Sequence, residues 1–137
     1  MGTKAPILLA LALFASTLVS CLPDTPGGQA VLLSPQEAWE FIQNHEGDPD
    51  FVILDVRTPR EYAAGHIAGA VLLDYRSPTF EEELGGLSRD ATYLVYCRSG
   101  NRSADAVEVM ARRGFTRIYE LAGGIQAWER AGLPVEE

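Results

Sequence analysis

The residues with the clearest capacity for chemistry lie in one short loop around Cys97. Residues 92–96 read TYLVY, the pattern of a buried strand, and residues 96–103 continue as YCRSGNRS before a helix-like run begins at Ser103. A cysteine between a strand and a helix lies in a curl of backbone N–H groups and faces the positive end of the helix dipole. Both favour the thiolate, a nucleophile near neutral pH, whereas an ordinary cysteine is mostly protonated there. The loop therefore predicts nucleophilic catalysis by Cys97.

The same loop has side chains suited to holding an anion. Gly100 allows the tight backbone path, and Ser99, Asn101 and Ser103 can donate hydrogen bonds to an oxyanion or to the sulfur. The simplest alternative is that Cys97 is a small buried apolar residue, as unpaired cysteines often are. The polar loop and the place of the cysteine at a strand end favour catalysis over that alternative.

The charge of the chain makes the two arginines of the loop informative. The sequence has 11 lysines and arginines against 19 acids, a net charge of -8. Such a chain offers no basic face to a nucleic-acid backbone, so we expect no nucleic-acid partner. It also repels anions at long range, so an anion site needs local positive charge. Arg98 and Arg102 can supply it, although two solvated loop arginines would be the simpler explanation.

The cysteine and histidine content argues against a metal site or cofactor. Cys21 and Cys97 are the two cysteines, in such different surroundings that they need not form a disulfide. The sequence has no CxxC motif, and its two histidines, His45 and His66, are not clustered with the cysteines. A zinc site would have too few ligands, and we expect no metal or organic cofactor.

The N-terminal segment predicts export and lipidation. Residues 6–19 form an apolar run behind a short head with one lysine, too short for a comfortable bilayer span and typical of a signal peptide. The run ends in Leu-Val-Ser-Cys at residues 18–21, which resembles the bacterial lipoprotein box. We expect a signal peptide over 1–20, a lipidated Cys21, a flexible tether over 21–30, and a domain over 31–137 near a membrane outside the cytoplasm. A plain secretory signal or an uncleaved anchor is the alternative.

The remaining sequence alternates strand-like and helix-like runs. The predicted strands are residues 31–33, 51–56, 70–73, 92–96 and 117–121. The predicted helices open at Ser34-Pro35 and Thr58-Pro59, each with a glutamate completing a capping box, at Ser77-Pro78, at Ser103 and at Ile125. This alternation predicts an α/β fold whose parallel sheet is covered on both faces. Ligands of such sheets bind beyond the carboxyl ends of the strands, where Cys97 lies.

Five segments of the chain, in the same order, resemble the rhodanese family. They read DVR at 55–57 with EY at 61–62, GHIAGA at 65–70, CRSGNRS at 97–103, LAGG at 121–124 with Trp128, and GLP at 132–134. The resemblance implies a three-layer domain with a mostly parallel sheet. It implies a sulfurtransferase that moves sulfane sulfur from thiosulfate or a related anion, through a Cys97 persulfide, to a thiol or cyanide. Arg98 or Arg102 would neutralise the sulfonate-like end of the donor.

Other residues in these segments have structural explanations. Asp55 and Arg57 are expected to close a strand end by charge-assisted hydrogen bonds, His66 to be a satisfied turn residue, and Trp128 to belong to the core. His45 is expected at the surface. Residues 71–75, VLLDY, depart from the pattern of many relatives, which affects substrate access rather than the loop.

Three other functions compete with sulfur transfer. A phosphatase or arsenate reductase on the same fold needs a loop one residue longer than the four residues that separate Cys97 from Arg102. A catalytically silent binding module usually lacks the cysteine that this chain keeps. A thiol-redox role lacks a resolving thiol if Cys21 is acylated.

Overall fold

The computed structural model describes residues 29–137 and Gly2. The predicted signal peptide, Cys21 and most of the tether lie outside these residues. In chain order the elements are β1 (Val31–Leu33), α1 (Pro35–Asn44), β2 (Phe51–Asp55), α2 (Pro59–Ala64), β3 (Val71–Leu72), α3 (Phe80–Gly85), β4 (Thr92–Tyr96), α4 (Asn101–Arg112), β5 (Arg117–Leu121) and α5 (Gly124–Arg130).

The five strands form one parallel sheet in the order β1-β5-β4-β2-β3. Strand β4 lies at its centre, paired with β2 on one side and β5 on the other. Every crossover between parallel strands requires a connection over a face of the sheet, and helices form these connections. The predicted α/β architecture with a parallel sheet is confirmed.

The core consists of two apolar clusters, one on each face of the sheet. Alternation along β4 sends Tyr93, Val95 and Cys97 to the face covered by α3 and α4. Leu94 and Tyr96 face the other cluster, which is covered by α1 and α5. The fold therefore has three layers, and Cys97 continues the α4-facing side of the central strand.

Two helices begin as their capping boxes predict. The Ser34 hydroxyl accepts from the Glu37 amide while the Glu37 carboxylate accepts from the Ser34 amide. Thr58 and Glu61 repeat this arrangement at the start of α2. These contacts are local in sequence, which is why spacing alone predicts them.

Two predicted helix starts are wrong. Helix α3 begins at Phe80, because Ser77 and Pro78 lie in a turn in which the Phe80 amide donates to the Ser77 carbonyl. Helix α4 begins at Asn101, two residues before the predicted start, because Gly100 adopts a φ of 107° and serves as its N-cap. Ser103 therefore lies inside the first turn of α4 rather than ahead of it.

No helix within residues 29–137 is long and apolar enough to cross a membrane.

Candidate active site

The candidate site is built where the central strand ends. Cys97 follows β4 directly and is 1% exposed. The Gly100 amide donates to its Sγ over 3.1 Å, and the Ser103 Oγ lies 3.4 Å from the same sulfur. The four residues after the cysteine thus curl around Sγ and connect β4 to α4.

Two opposing effects act on the Cys97 thiol. Burial raises its pKa, but the hydrogen bond with the Ser103 side chain and the bonds from the backbone amides of Ser103, Gly100 and Ser99 outweigh burial and lower it. The loop therefore favours the thiolate, as its sequence predicts.

The donors around the sulfur are not all those that the sequence singles out. The side chains of Ser99 and Asn101 are exposed, and neither is hydrogen-bonded to Sγ. Ser103 has a buried hydroxyl beside the sulfur, and Gly100 contributes its amide. The loop acts through the Ser103 hydroxyl and through its backbone amides, so the side-chain identities at 99 and 101 matter little.

Helix α5 holds the loop from its other side. The Ile125 amide donates to the Cys97 carbonyl over 2.9 Å, and the Gln126 amide donates to the Arg98 carbonyl over 3.1 Å. Gly124 has a φ of +62°, and a Cβ built on it would lie 2.5 Å from the Cys97 and Arg98 carbonyl oxygens. Only glycine permits this approach, which explains the Gly-Gly pair before α5.

The two loop arginines differ in their partners. Arg102 forms a bidentate ion pair with Glu61, with both N–O distances 2.7 Å. Hydrogen bonding to Arg102 lowers the pKa of Glu61 far below its usual range. Arg98 is exposed, and within the described part of the chain no carboxylate pairs with it. Its guanidinium lies beside the Gln126 amide, whose oxygen accepts from Arg98 over 3.1 and 3.3 Å when the amide is turned to face it. Among the described residues, Arg98 is thus the loop arginine without a carboxylate partner, whereas Glu61, together with the Cys97 charge, raises the pKa of Arg102.

A buried network fastens the neighbouring strand end. The Arg57 Nη2 donates to Asp55 over 2.7 Å and to the Gly65 carbonyl over 2.7 Å. The Tyr96 hydroxyl donates to the same Asp55 carboxylate over 2.6 Å. Burial, followed by the Asp55 charge, raises the pKa of Tyr96 far above its usual range. The network joins the ends of β2 and β4, so Asp55 and Arg57 have the structural role that the sequence predicts.

The other two residues expected to be structural, His66 and Trp128, are where the sequence places them. His66 is buried, and its Nδ1 lies 2.9 Å from the Tyr62 carbonyl oxygen. Trp128 is fully buried, and its Nε1 donates to the Pro134 carbonyl. His45, expected at the surface, is half-buried: its ring packs beside Phe41 and Phe51, and its Nδ1 lies 2.7 Å from the Phe41 carbonyl oxygen.

Sequence reasoning missed Glu120. This residue of β5 is 9% exposed, and its Oε1 accepts a hydrogen bond from the Ser103 hydroxyl over 2.8 Å. Burial raises the pKa of the Glu120 carboxyl, and the hydrogen bond from Ser103 only partly opposes this effect. The signal was present in the alternation of β5, because Glu120 shares a face with Ile118, a core residue of the α4 side.

Among the residues described, no cluster of three His, Cys, Asp or Glu side chains could hold a metal ion.

Comparison with known proteins relates this geometry to a family. The model of the rhodanese-like domain matches residues 34–131. Thiosulfate sulfurtransferase GlpE of Actinobacillus pleuropneumoniae serotype 5b is 35% identical over 104 residues, 76% of this chain and 91% of that protein. A sulfurtransferase of Allochromatium vinosum is 37% identical over 86 residues, 63% of this chain and 78% of that protein. The crystal structure of a rhodanese-related protein from Thermoplasma volcanium has a TM-score of 0.66 and 33% identity, covering 77% of this chain and 97% of that one.

Proposed function

Because this chain belongs to the rhodanese-like domain family and is a sulfurtransferase, we propose that Cys97 carries the transferred sulfur as a persulfide. The observation that supports this assignment is the ring of donors around a buried sulfur, with the Gly100 amide 3.1 Å from Sγ. A persulfide is anionic at its outer sulfur, and the same donors that favour a thiolate would stabilise it.

The proposed reaction has two displacements at sulfur, and its donor is thiosulfate, the substrate in the names of several relatives. The Cys97 thiolate attacks the outer sulfur of the donor. The sulfur–sulfur bond of thiosulfate breaks, and sulfite leaves with the bonding electrons. A thiolate or cyanide then attacks the outer sulfur of the persulfide and leaves as a new persulfide or as thiocyanate. The second step regenerates the Cys97 thiolate, so no cofactor is consumed.

We assign different roles to the two arginines of the loop. Arg98 would attract the sulfonate end of the donor, since its exposed charge has no carboxylate partner within residues 29–137. Arg102 would hold the loop in place, because Glu61 already neutralises it. Phosphoryl transfer is disfavoured for the same reason, since it requires an arginine that clamps the bound anion.

We also propose that the mature chain is extracytoplasmic and lipidated at Cys21. The support is the sequence alone: the apolar run over residues 6–19 and the small residues before the cysteine. The lipid would be the only attachment to the membrane.

The assignment of Cys97 is tested by loading the protein with thiosulfate. We expect intact-mass spectrometry to show a gain of one sulfur atom that cyanide removes as thiocyanate, and Cys97→Ser to abolish both. Cys21→Ser is the matched control, and it should load like the wild type. Undiminished transfer in Cys97→Ser would refute the assignment, and a wild type that never loads would favour a silent binding module.

A further inference from the structure

The hydroxyl of Ser103 lies between the reacting sulfur and a buried carboxyl. Ser103 Oγ is 3.4 Å from Cys97 Sγ and 2.8 Å from Glu120 Oε1. Exposure of the three residues is 1% for Cys97, 0% for Ser103 and 9% for Glu120. Helix α4 supplies the serine, strand β5 supplies the glutamate, and the cysteine directly follows the adjacent strand β4.

The Ser103 hydroxyl has one hydrogen, and two recorded acceptors compete with the sulfur for it: Glu120 Oε1 at 2.8 Å and the Gly100 carbonyl at 3.2 Å. An ionised Glu120 attracts this hydrogen most strongly, so Cys97 can only donate its own S–H to the serine oxygen. A protonated Glu120 can donate to the serine oxygen instead, and the serine hydrogen then turns to the charged thiolate in preference to the neutral Gly100 carbonyl. An ionised Glu120 therefore favours the neutral Cys97 thiol, and a protonated Glu120 favours the thiolate.

The surroundings of Glu120 make it able to take up a proton. It has no cationic partner among residues 29–137. On α4, Glu108 and Arg112 line the same shallow cavity as Glu120, and Arg112 lies 4.0 Å from Glu108. Its register partners are Leu32 on β1 and Val95 on β4, so neither neighbouring strand places a charge beside it. A buried carboxylate without a cation is costly, which favours protonation.

We propose that Glu120 is a positioning residue that accepts the Cys97 proton through Ser103. In this step the Cys97 S–H bond breaks and its proton joins Ser103 Oγ, while the original Ser103 proton moves to Glu120 Oε1. One proton is transferred in total, and one negative charge passes from the carboxylate to the sulfur. The inference deepens the proposed function, since it rests on Cys97 being the reacting thiol.

The experiment measures the rate of Cys97 alkylation by iodoacetamide against pH, in a Cys21→Ser background with a single thiol. Because Cys97 and Glu120 share protons, we expect the wild-type rate to rise in two steps separated by about one pH unit or more. Glu120→Gln is isosteric and cannot take a proton, so its profile should collapse to one step. Glu108→Gln, a neighbouring carboxyl without contact to Ser103, should keep both steps.

Ser103→Ala separates the relay from a simple effect of charge. In that background Glu120→Gln should no longer change the profile, because the connecting hydroxyl is absent. An effect of Glu120→Gln that persists without Ser103 would overturn the relay. A wild-type alkylation rate that rises in a single step would also overturn the relay, and this result does not depend on any variant folding correctly. If either of these results is found while thiosulfate still loads Cys97 with sulfur, the relay is wrong and the proposed function stands. If Cys97 does not load with sulfur, the proposed function is wrong, but the alkylation profile still reports on the relay.

Discussion

At the scale of single residues, the site is a balance between burial and hydrogen bonding at one sulfur atom. Burial alone would keep Cys97 neutral, because an ionised group in an apolar setting is strongly disfavoured. Each hydrogen bond to a charged group contributes about 1.5 to 3 kcal/mol, so several donors together reverse that preference. The direction of the pKa shift at Cys97 shows that the donors prevail. Backbone amides are well suited to this task because they are held by the fold and need no side-chain ordering.

Replacement of Arg98 tests whether its exposed charge attracts the donor. We expect Arg98→Ala to raise the KM for thiosulfate about two- to fivefold with little change in kcat, since an exposed charge contributes about 0.2 to 1 kcal/mol. Arg130→Ala makes the same change in net charge at the far end of α5 and should leave KM unaltered. Steady-state kinetics at low and high salt would check this, and the effect should shrink as salt rises. Equal KM values in the two variants would contradict the role of Arg98.

At the scale of elements, two helices determine the shape of the loop. Helix α4 begins at Asn101, directly after its N-cap Gly100, and places Ser103 beside the sulfur, while the first amides of α5 donate to the carbonyls of Cys97 and Arg98. Helix α2 contributes through Glu61, which holds Arg102. Each of these contacts is made by the first turn of a helix, where backbone amides or capping residues are available.

Gly124→Ala is expected to disrupt the loop from the α5 side. The added Cβ would meet backbone atoms of Cys97 and Arg98 at 2.5 Å, so the loop or the helix must move. We expect a loss of about 2 to 4 kcal/mol in the free energy of unfolding, and at least tenfold lower transfer, from overpacking and a strained φ. Gly47→Ala is the control, because Gly47 also has a positive φ but nothing within 4 Å of its Cβ position. It should cost about 1 kcal/mol and keep transfer. Denaturant unfolding and the thiosulfate assay would compare them, and full activity in Gly124→Ala would contradict the account.

The pair between Glu61 and Arg102 predicts how stability depends on pH. Because folding lowers the pKa of Glu61, its contribution is present above the ordinary glutamate pKa, about 4.3, and is lost as the pH falls below that value. We expect Glu61→Gln to lose about 1 to 3 kcal/mol near pH 7 and to approach the wild type in acid. Denaturant unfolding at several pH values would measure this.

Glu37→Gln is the matched variant for that experiment. It removes the charge of the corresponding capping carboxylate in α1, which has no arginine partner among the described residues. A difference between the two variants that did not change with pH would show that the ion pair is not responsible.

At the scale of the whole molecule, the sheet gathers the site from distant parts of the chain. The order β1-β5-β4-β2-β3 puts the ends of β2, β4 and β5 side by side. It is this arrangement that brings Glu61 to Arg102 and Glu120 to Ser103. The site therefore has local cationic and donor groups on a chain whose net charge is -8. Long-range attraction of an anionic donor is not expected, and binding must rely on contacts within the loop.

Attachment of the whole protein to a membrane is tested through Cys21. We expect the wild type to fractionate with bacterial membranes and to carry a lipid-sized mass increase on the fragment that begins at Cys21. Cys21→Ser should be found in the soluble fraction. Ser20→Ala keeps a small residue before the cysteine and should behave like the wild type. Membrane association of Cys21→Ser equal to that of the wild type would contradict lipidation.

The order and type of the elements, the capping boxes of α1 and α2, and the loop that presents Cys97 could all be predicted from the amino-acid sequence. These features are encoded within a few residues, by short continuous apolar runs, by i to i+3 capping pairs and by a strand that runs into a polar loop. The α4 start was misjudged because serine is the usual N-cap, whereas here Gly100 takes that place with a positive φ.

Only the tertiary structure decided which polar groups surround the site. Arg102 and Glu61 are 41 residues apart, and Ser103 and Glu120 are 17 apart, so neither pair has a spacing that predicts contact. Their partners follow from strand order and from the face to which each side chain points. For this reason the two loop arginines look equivalent in the sequence, whereas in the fold one is paired and the other is exposed.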